Sequence, residues 1–449
     1  MRLFGRPGLF KCVPGFLAMC MTVPVFSMTL LQAYDAAQSN DAQLRASRAA
    51  LLAGQERVVQ ARAQLLPSAS ASLTRNFNDL KTDTQDILGR PVSSREDYYS
   101  FNRSLSLRQP VFNVPRYLGY QQAFALVEQE QANYDQDEQD LVVRLGSAYL
   151  QALLSAEQVR LSESQLTQYQ ALLSAARMAL SAGTGTRTDI DEAQARVDMA
   201  QATLLQAKQQ VLFARRQMEI LVGQPVEGLA RLKPPALRDE LTIAHDLQYW
   251  IDAAWRTSPE VKSLQARLRS ADLEILKSKS AHAPTLDAVL QWSESGNDNI
   301  SRLNARYNSK VAGLQLTIPL YQGGQVSSAV RQAVALREQV LASLEALRQD
   351  VELRVHREFR GVTEGALRIA ALEQAERSAE LALSSTVKSR VAGVRSQLDV
   401  LNAEQQLMTV KRDLAEAMFS YVLAQLRLHG LAGVSPRDNI ARLNQVFVH

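Results

Sequence analysis

The chain has 449 residues, 21% charged and 46% hydrophobic, which excludes a wholly disordered polypeptide. Its formal charge of +4 falls to +1 once Arg2, Arg6 and Lys11 are set aside, leaving 47 basic against 46 acidic side chains, so no basic nucleic-acid surface is indicated. Only 20 Gly and 14 Pro in this length point to extensive helix, and no apolar run of about 18 residues lies beyond the first 30, which excludes a helical inner-membrane protein.

Residues 1–27 read as a secretory signal peptide. A basic stretch precedes the apolar segment from Cys12 to Phe26, and Val25-Phe26-Ser27 offers a cleavage site before Met28. Pro14 and Pro24 argue against a buried helix there. Both cysteines, Cys12 and Cys20, fall inside this segment, so the mature chain has neither a disulfide framework nor a thiolate metal site. Leu17-Ala18-Met19-Cys20 approaches a lipobox, but Met19 stands where a small residue is needed.

The remainder is one unit repeated. At an offset of 217, Leu30, Asp35, Ala36, Ala37 and Pro67 fall on Leu247, Asp252, Ala253, Ala254 and Pro284. At 209, Leu105, Leu107 and Pro110 fall on Leu314, Leu316 and Pro319. At 210, Asp140, Arg144, Gly183, Asp189 and Gly223 fall on Asp350, Arg354, Gly393, Asp399 and Gly433. The repeats are 28–233 and 234–449, a unit of about 210 residues.

Each repeat has its own strand and helix zones. Period-2 alternation marks strands at about 98–112, 285–293 and 310–321, and the segment 68–78, mostly Ser and Ala, reads more weakly as a fourth; each is near the length that crosses a bilayer when tilted. The segments 79–94 and 293–309 read as polar linkers. No proline lies between Pro115 and Pro225 or between Pro319 and Pro436, which leaves two windows for long helices, broken near Gly183 and Gly393. A helix from Arg116 to Ala182 is about 100 Å long and implies coiled-coil packing. Thr186 to Asp189 and Ser396 to Asp399 both have capping-box spacing.

Four strands cannot close a barrel, and open edges are not tolerated in lipid. Two copies would give eight strands with a filled interior, and three would give twelve with a passage, which points to a trimeric outer-membrane conduit. The fold class is therefore mixed and mainly α, with long coiled-coil helices and four membrane strands per chain. The aromatics Phe77, Tyr98, Tyr99, Phe112, Trp292 and Tyr321 fit interfacial belts, while Trp250 and Trp255 read as core or groove residues.

The start of the mature chain, Met28-Thr-Leu-Leu-Gln-Ala-Tyr-Asp-Ala-Ala37, the junctions Leu65-Leu66-Pro67 and Ala283-Pro284-Thr285-Leu286, and the pair Gln109-Pro-Val-Phe-Asn113 and Ile318-Pro-Leu-Tyr-Gln-Gly-Gly324 occur in an order that resembles the TolC family of outer-membrane exit ducts. The resemblance implies a homotrimer with a twelve-stranded β-barrel in the outer membrane and an α-barrel across the periplasm. It also implies a belt from about 224–245 and 434–449, and extracellular loops at 79–94 and 293–309. Partners would be outer-membrane lipid, a periplasmic adaptor (membrane fusion) protein and an inner-membrane ABC or RND-type transporter, with no nucleic acid. The tip turns at Gly183 and Gly393, within 177–196 and 387–406, would meet the adaptor.

By the same resemblance, Asp399 matches the aspartate ring that narrows the entrance, and the family's second acid is here Asn402. Arg395 matches a linking arginine with Thr188 and Asp189 as partners, and Arg390 replaces an aromatic link, free to pair with Asp189. No cofactor, metal site or enzymatic role is expected: His245, His282, His356, His429 and His449 show no metal spacing. The cargo stays open between a protein of a type I secretion system and small toxic molecules in efflux. The competing reading is a soluble coiled-coil scaffold of the cell envelope, which does not explain the four matched strands.

Overall fold

The structure, a computed structural model, describes residues 28–226, 228–232, 245–298, 306–445 and 447–448. The predicted signal peptide lies outside the described residues. The first repeat holds α1 (Leu30–Asn40), α2 (Ala42–Ala63), β1 (Ser68–Gln85), β2 (Pro91–Phe112), α3 (Val114–Ser181), α4 (Arg187–Val222) and the short β3 (Arg231–Leu232). The second holds α5 (Leu247–Thr257), α6 (Pro259–Lys279), β4 (Thr285–Asn297), β5 (Arg306–Thr317), α7 (Gln325–Val391), α8 (Gln397–Leu431), α9 (Pro436–Asn444) and β6 (Phe447–Val448).

α3 and α7 have 68 and 67 residues, about 100 Å of helix each. Asn113 caps α3 by accepting from the Arg116 N–H at 3.0 Å, and Pro115 sits in the first turn, where its missing N–H costs nothing. Such lengths are sustained by packing rather than by propensity. The main core lies midway along the bundle. There Leu141, Leu145 and Tyr149 of α3, Met218 of α4, Val351 and Val355 of α7, and Tyr421 and Leu426 of α8 are buried beneath α1, α5 and α9. Gly146 leaves the room that the Leu426 side chain occupies, so α8 approaches α3 closely. Trp250 belongs to this core and stacks on His429, ring centroids 5.0 Å apart. Burial, with Arg442 adding to it, holds the His429 imidazole down at about 4, so it is neutral at physiological pH.

Short pairings tie the belt around this core. β3 runs antiparallel to β6, Met28 bridges Leu229, and the Tyr149 hydroxyl donates to the carbonyls of Met28 and Ala230 at 3.0 and 3.3 Å. The second predicted belt segment, 434–449, is largely the helix α9, and residues 233–244 of the first lie outside the described residues.

The long strands form one antiparallel sheet in the order β1-β2-β4-β5. The register separates two faces. Ser70 and Ser106 share a hydrogen bond of 2.7 Å, Ser72 and Ser104 one of 2.8 Å, and Asn78 donates to Ser100 at 2.9 Å, all on one face. The other face carries Leu73, Phe77, Tyr99, Leu105, Leu107, Leu290, Trp292 and Leu314. One face is therefore polar and the other apolar, the pattern of a sheet between water and lipid.

The strands run further than their apolar alternation. β1 has 18 residues and β2 has 22, so most of the expected loop at 79–94 is strand. The turn is confined to 86–90, where Asp86 accepts from the Leu88 and Arg90 N–H groups, both at 2.9 Å, and Gly89 takes φ 74°. Likewise 293–297 and 306–309 belong to β4 and β5, and β5 ends at Thr317, short of the expected 321. Where both faces of a hairpin meet water, no hydrophobic period marks the strand.

An ion pair stands at each helical elbow. Asp41 caps α2 by accepting from the Leu44 N–H at 2.8 Å, and it holds Arg144 of α3 through bonds of 3.1 and 3.2 Å. At the equivalent elbow, Glu260 of α6 pairs with Arg354 of α7. Burial alone would raise the Asp41 carboxyl, but Arg144 and the Leu44 N–H outweigh it and hold the group below the usual range. This stabilisation is present above the usual carboxylate range and is lost as pH falls through the lowered value. Asp41→Ala removes cap and pair together and should cost about 2–3 kcal/mol, while Asp41→Asn keeps an acceptor and should cost about 1 kcal/mol less. Urea midpoints of the two variants, compared at pH 7, test this order.

Candidate functional site

The candidate site is the end of the helical bundle farthest from the sheet, where α3 turns into α4 and α7 into α8. Both turns have the same construction. The helices end on glycines with φ 75° at Gly183 and 78° at Gly393, a conformation that costs a side-chain-bearing residue. The Gly183 N–H donates to Leu180 at 3.0 Å and the Gly393 N–H to Arg390 at 2.9 Å, closing the last carbonyls.

The next helices open with reciprocal caps. Asp189 accepts from the Thr186 N–H at 2.9 Å and hydroxyl at 2.7 Å, and Thr186 accepts from the Asp189 N–H at 3.2 Å. Ser396 and Asp399 repeat the pattern at 2.9, 2.9 and 3.1 Å. Both carboxylates lie below their ordinary range. For Asp189 the Thr186 hydroxyl is the main cause and Arg390 adds to it; for Asp399 it is the Ser396 N–H, with the hydroxyl and Arg395 adding.

Arg395, in the turn just before α8, lies 3.6 Å from Asp399 of that helix's first turn, so within one chain its ion-pair partner is Asp399. Arg390, on the last turn of α7, faces Asp189 closely enough to act on its charge. Thr188 is exposed. Asp399 and Asn402 are three residues apart on α8 and share a face, with Asn402 exposed. Val391 and Val394, 87% and 77% exposed, put an apolar surface at the very tip.

Two features of this end were not predicted. Leu401 of α8 packs with Tyr169, Leu173, Ala193, Val197 and Ala200, so α8 lies in the groove of the α3–α4 hairpin. Gln405 accepts from the Tyr169 hydroxyl at 3.1 Å and from Gln165 at 3.0 Å, a polar clasp between the hairpins. The only signal for it in the sequence was the place of these residues on the helical seam.

An amphipathic four-stranded sheet at one end of a bundle about 100 Å long, with charged helical turns at the other, defines an outer-membrane channel that reaches into the periplasm. Residues 33–224 and 250–434 match the model of the outer membrane efflux protein family. The chain is 32% identical over 423 residues to the proteases secretion protein PrtF of Dickeya chrysanthemi, covering 94% of this chain and 91% of that one. It is 31% identical to the alkaline protease secretion protein AprF of Pseudomonas aeruginosa, covering 97% and 90%, and 26% identical to the outer membrane protein TolC of Escherichia coli, covering 93% and 85%. The Campylobacter jejuni outer membrane channel CmeC has the same fold, with a TM-score of 0.74 at 12% identity over 98% of each chain. The chain belongs to the outer membrane efflux protein family, whose members include the TolC channels.

The caps hold the tip locally. Thr186→Ala and Ser396→Ala should each weaken the adjacent helix start by about 1 kcal/mol. Amide exchange should then quicken about fivefold at residues 187–191 or 397–401 respectively and stay unchanged in the belt core.

Proposed function

We propose that three copies of this chain form a passive exit duct for protein export by a type I secretion system. The observation that carries the trimer is the sheet itself. Among the described residues β1 and β5 each leave one edge unpaired, and one face of the sheet is apolar. Pairing β1 of one copy with β5 of the next satisfies those edges, and three copies of four strands make twelve. The serine- and asparagine-lined face then turns toward a water-filled passage.

The same threefold axis brings three copies of Asp399 together at the tip, with Asn402 one turn on. Three carboxylates around an axis raise the local cation concentration and favour cation passage. Arg395 and Arg390 reach neighbouring chains, with Thr188 and Asp189 as acceptors, and hold the tip narrow. Each such exposed pair is worth about 0–1 kcal/mol, so the closed tip depends on several acting together.

An adaptor protein meets the tip turns around Gly183 and Gly393, and an inner-membrane ABC transporter supplies the energy. The likeness to PrtF and AprF, both named for protease secretion, supports a protein cargo. Replacing PrtF in Dickeya chrysanthemi with this chain tests the cargo. Restored protease secretion is the expected outcome, and restored resistance to toxic small molecules without secretion would move the cargo to efflux.

In planar bilayers the wild-type trimer should give small cation-selective steps, and Arg390→Ala with Arg395→Ser should enlarge them severalfold. Unchanged conductance would remove these arginines from the gate. Cation selectivity should fall as pH drops and the Asp399 carboxylates of the ring take up protons. Asp399→Asn should abolish this pH dependence in reversal-potential measurements.

A further inference from the structure

The outward, apolar face of the sheet ends in a cluster of cations. Arg75 of β1, Arg103 of β2, and Arg306 and Lys310 of β5 all lie on that face, with Glu294 of β4 as the acid among them. These five groups carry +3 (4 − 1), and Asp298, whose N–H donates to the Tyr99 carbonyl at 2.9 Å, follows at the outer edge and brings the net charge to +2 (4 − 2). The cluster sits at the far end of the apolar band from the long helices, since α3 follows the other end of β2 and α7 follows that of β5. It therefore marks the external rim of the lipid-facing surface.

The rim is built. Phe101 lies in one cross-strand row with Arg75 and Gly296, and Gly296 is opposite Arg306. Gly296 has no side chain, so the Arg306 guanidinium reaches over the Phe101 ring at 5.8 Å, while Arg103 lies over the same ring at 5.3 Å. Arg75 lies over Tyr99 at 5.0 Å, and Tyr99 packs on Phe77 at 5.4 Å. These contacts hold the guanidinium groups against the sheet at the top of the band. Glu294 pairs with Arg103 at 3.6 Å and Arg306 at 3.5 Å, which leaves most of the five donors on each guanidinium available. Arg75 and Lys310 form no ion pair among the described residues. Further out on the same face acids prevail: Arg95 pairs with Asp79 and Lys81 with Asp83, and Asp97 stands opposite Asp79 as a third acid.

From this juxtaposition we propose that the Arg75–Arg103–Arg306 cluster is a binding site for the phosphate groups of a phosphorylated lipid of the outer leaflet. Two features select that occupant. The excess positive charge and planar guanidinium forks suit phosphate oxygens. The cluster is also continuous with Leu73, Leu105 and Leu290, over which acyl chains would lie while the headgroup meets the arginines. In the proposed trimer β1 and β5 of adjacent copies are neighbours, so the clusters would join into a ring around the barrel. The lipid would then bridge the seam between copies.

The inference rests on the outward orientation of the apolar face, and its test separates the two. Detergent-purified protein is titrated with bis-phosphorylated hexa-acyl lipid A, with its dephosphorylated form, with phosphatidylethanolamine and with inorganic phosphate. Wild type should bind the phosphorylated lipid and should bind the dephosphorylated lipid about 100-fold more weakly. The triple variant Arg75→Gln/Arg103→Gln/Arg306→Gln should lose about the same factor, as expected for three surface cations facing anionic headgroups. The matching Arg→Lys triple variant should keep most of the affinity, and unchanged conductance of all variants would show that the channel is intact. Equal binding by the glutamine variant, or by the dephosphorylated lipid, would overturn the site. Full competition by inorganic phosphate alone would reduce it to a free-anion site and overturn the lipid assignment. If the apolar face did not meet lipid at all, wild type would bind none of the lipids and would stay dispersed without detergent.

Discussion

Backbone hydrogen bonding in a lipid environment is the constraint on which the structure turns. Four strands with one apolar face leave two edges of bare N–H and C=O groups, and hydrocarbon offers them no partner. In the proposed assembly copies of the chain supply those partners to each other. Once three copies are joined at their sheets, the helices that leave Phe112 and Thr317 must descend as a ring, and their far turns must gather around one axis. The proposed gate is thus a consequence of closing the barrel. In that assembly a side chain at position 399 would meet its own copies only because strands far away have paired.

Stability is distributed unevenly along this length. The belt holds the large core, with Tyr34, Tyr149 and Tyr421 buried and Met28 joined to Leu229 and Ala230. Paired charges, Asp41 with Arg144 and Glu260 with Arg354, lock the elbows where each repeat bends toward its long helices. Toward the tip the buried cluster shrinks to a handful of residues around Tyr169 and Leu401, and capping boxes and a glutamine clasp do the holding. Weakly held ends on a firm middle suit the proposed duct, whose entrance would move while its barrel does not.

Much of this was legible before any coordinates. The offsets that map Asp35 onto Asp252 and Gly183 onto Gly393 revealed the duplication, and the proline-free windows revealed α3 and α7. The cap spacing of Thr186 with Asp189 and Ser396 with Asp399 was also readable, because capping is local chemistry. The hairpin through 79–94 was not, because its residues face water on both sides and carry no period. Nor was the partnership of Arg395 with Asp399, which depends on how the turn before α8 folds back on the helix start, or the clasp of Gln165, Tyr169 and Gln405, which joins residues from distant parts of the chain.

The sequence by itself therefore determined the elements, their duplication and the two-faced character of the strands. Each of these follows from patterns of a few residues acting through helix period, strand alternation and the geometry of Gly and Pro. The tertiary structure alone decided which residues meet. Strand register set Arg103 and Arg306 on either side of Glu294 and left Gly296 open beneath a guanidinium. Helix packing set Leu426 into the space at Gly146 and Trp250 against His429. Such contacts depend on how distant surfaces fit, and a local pattern carries no record of that fit.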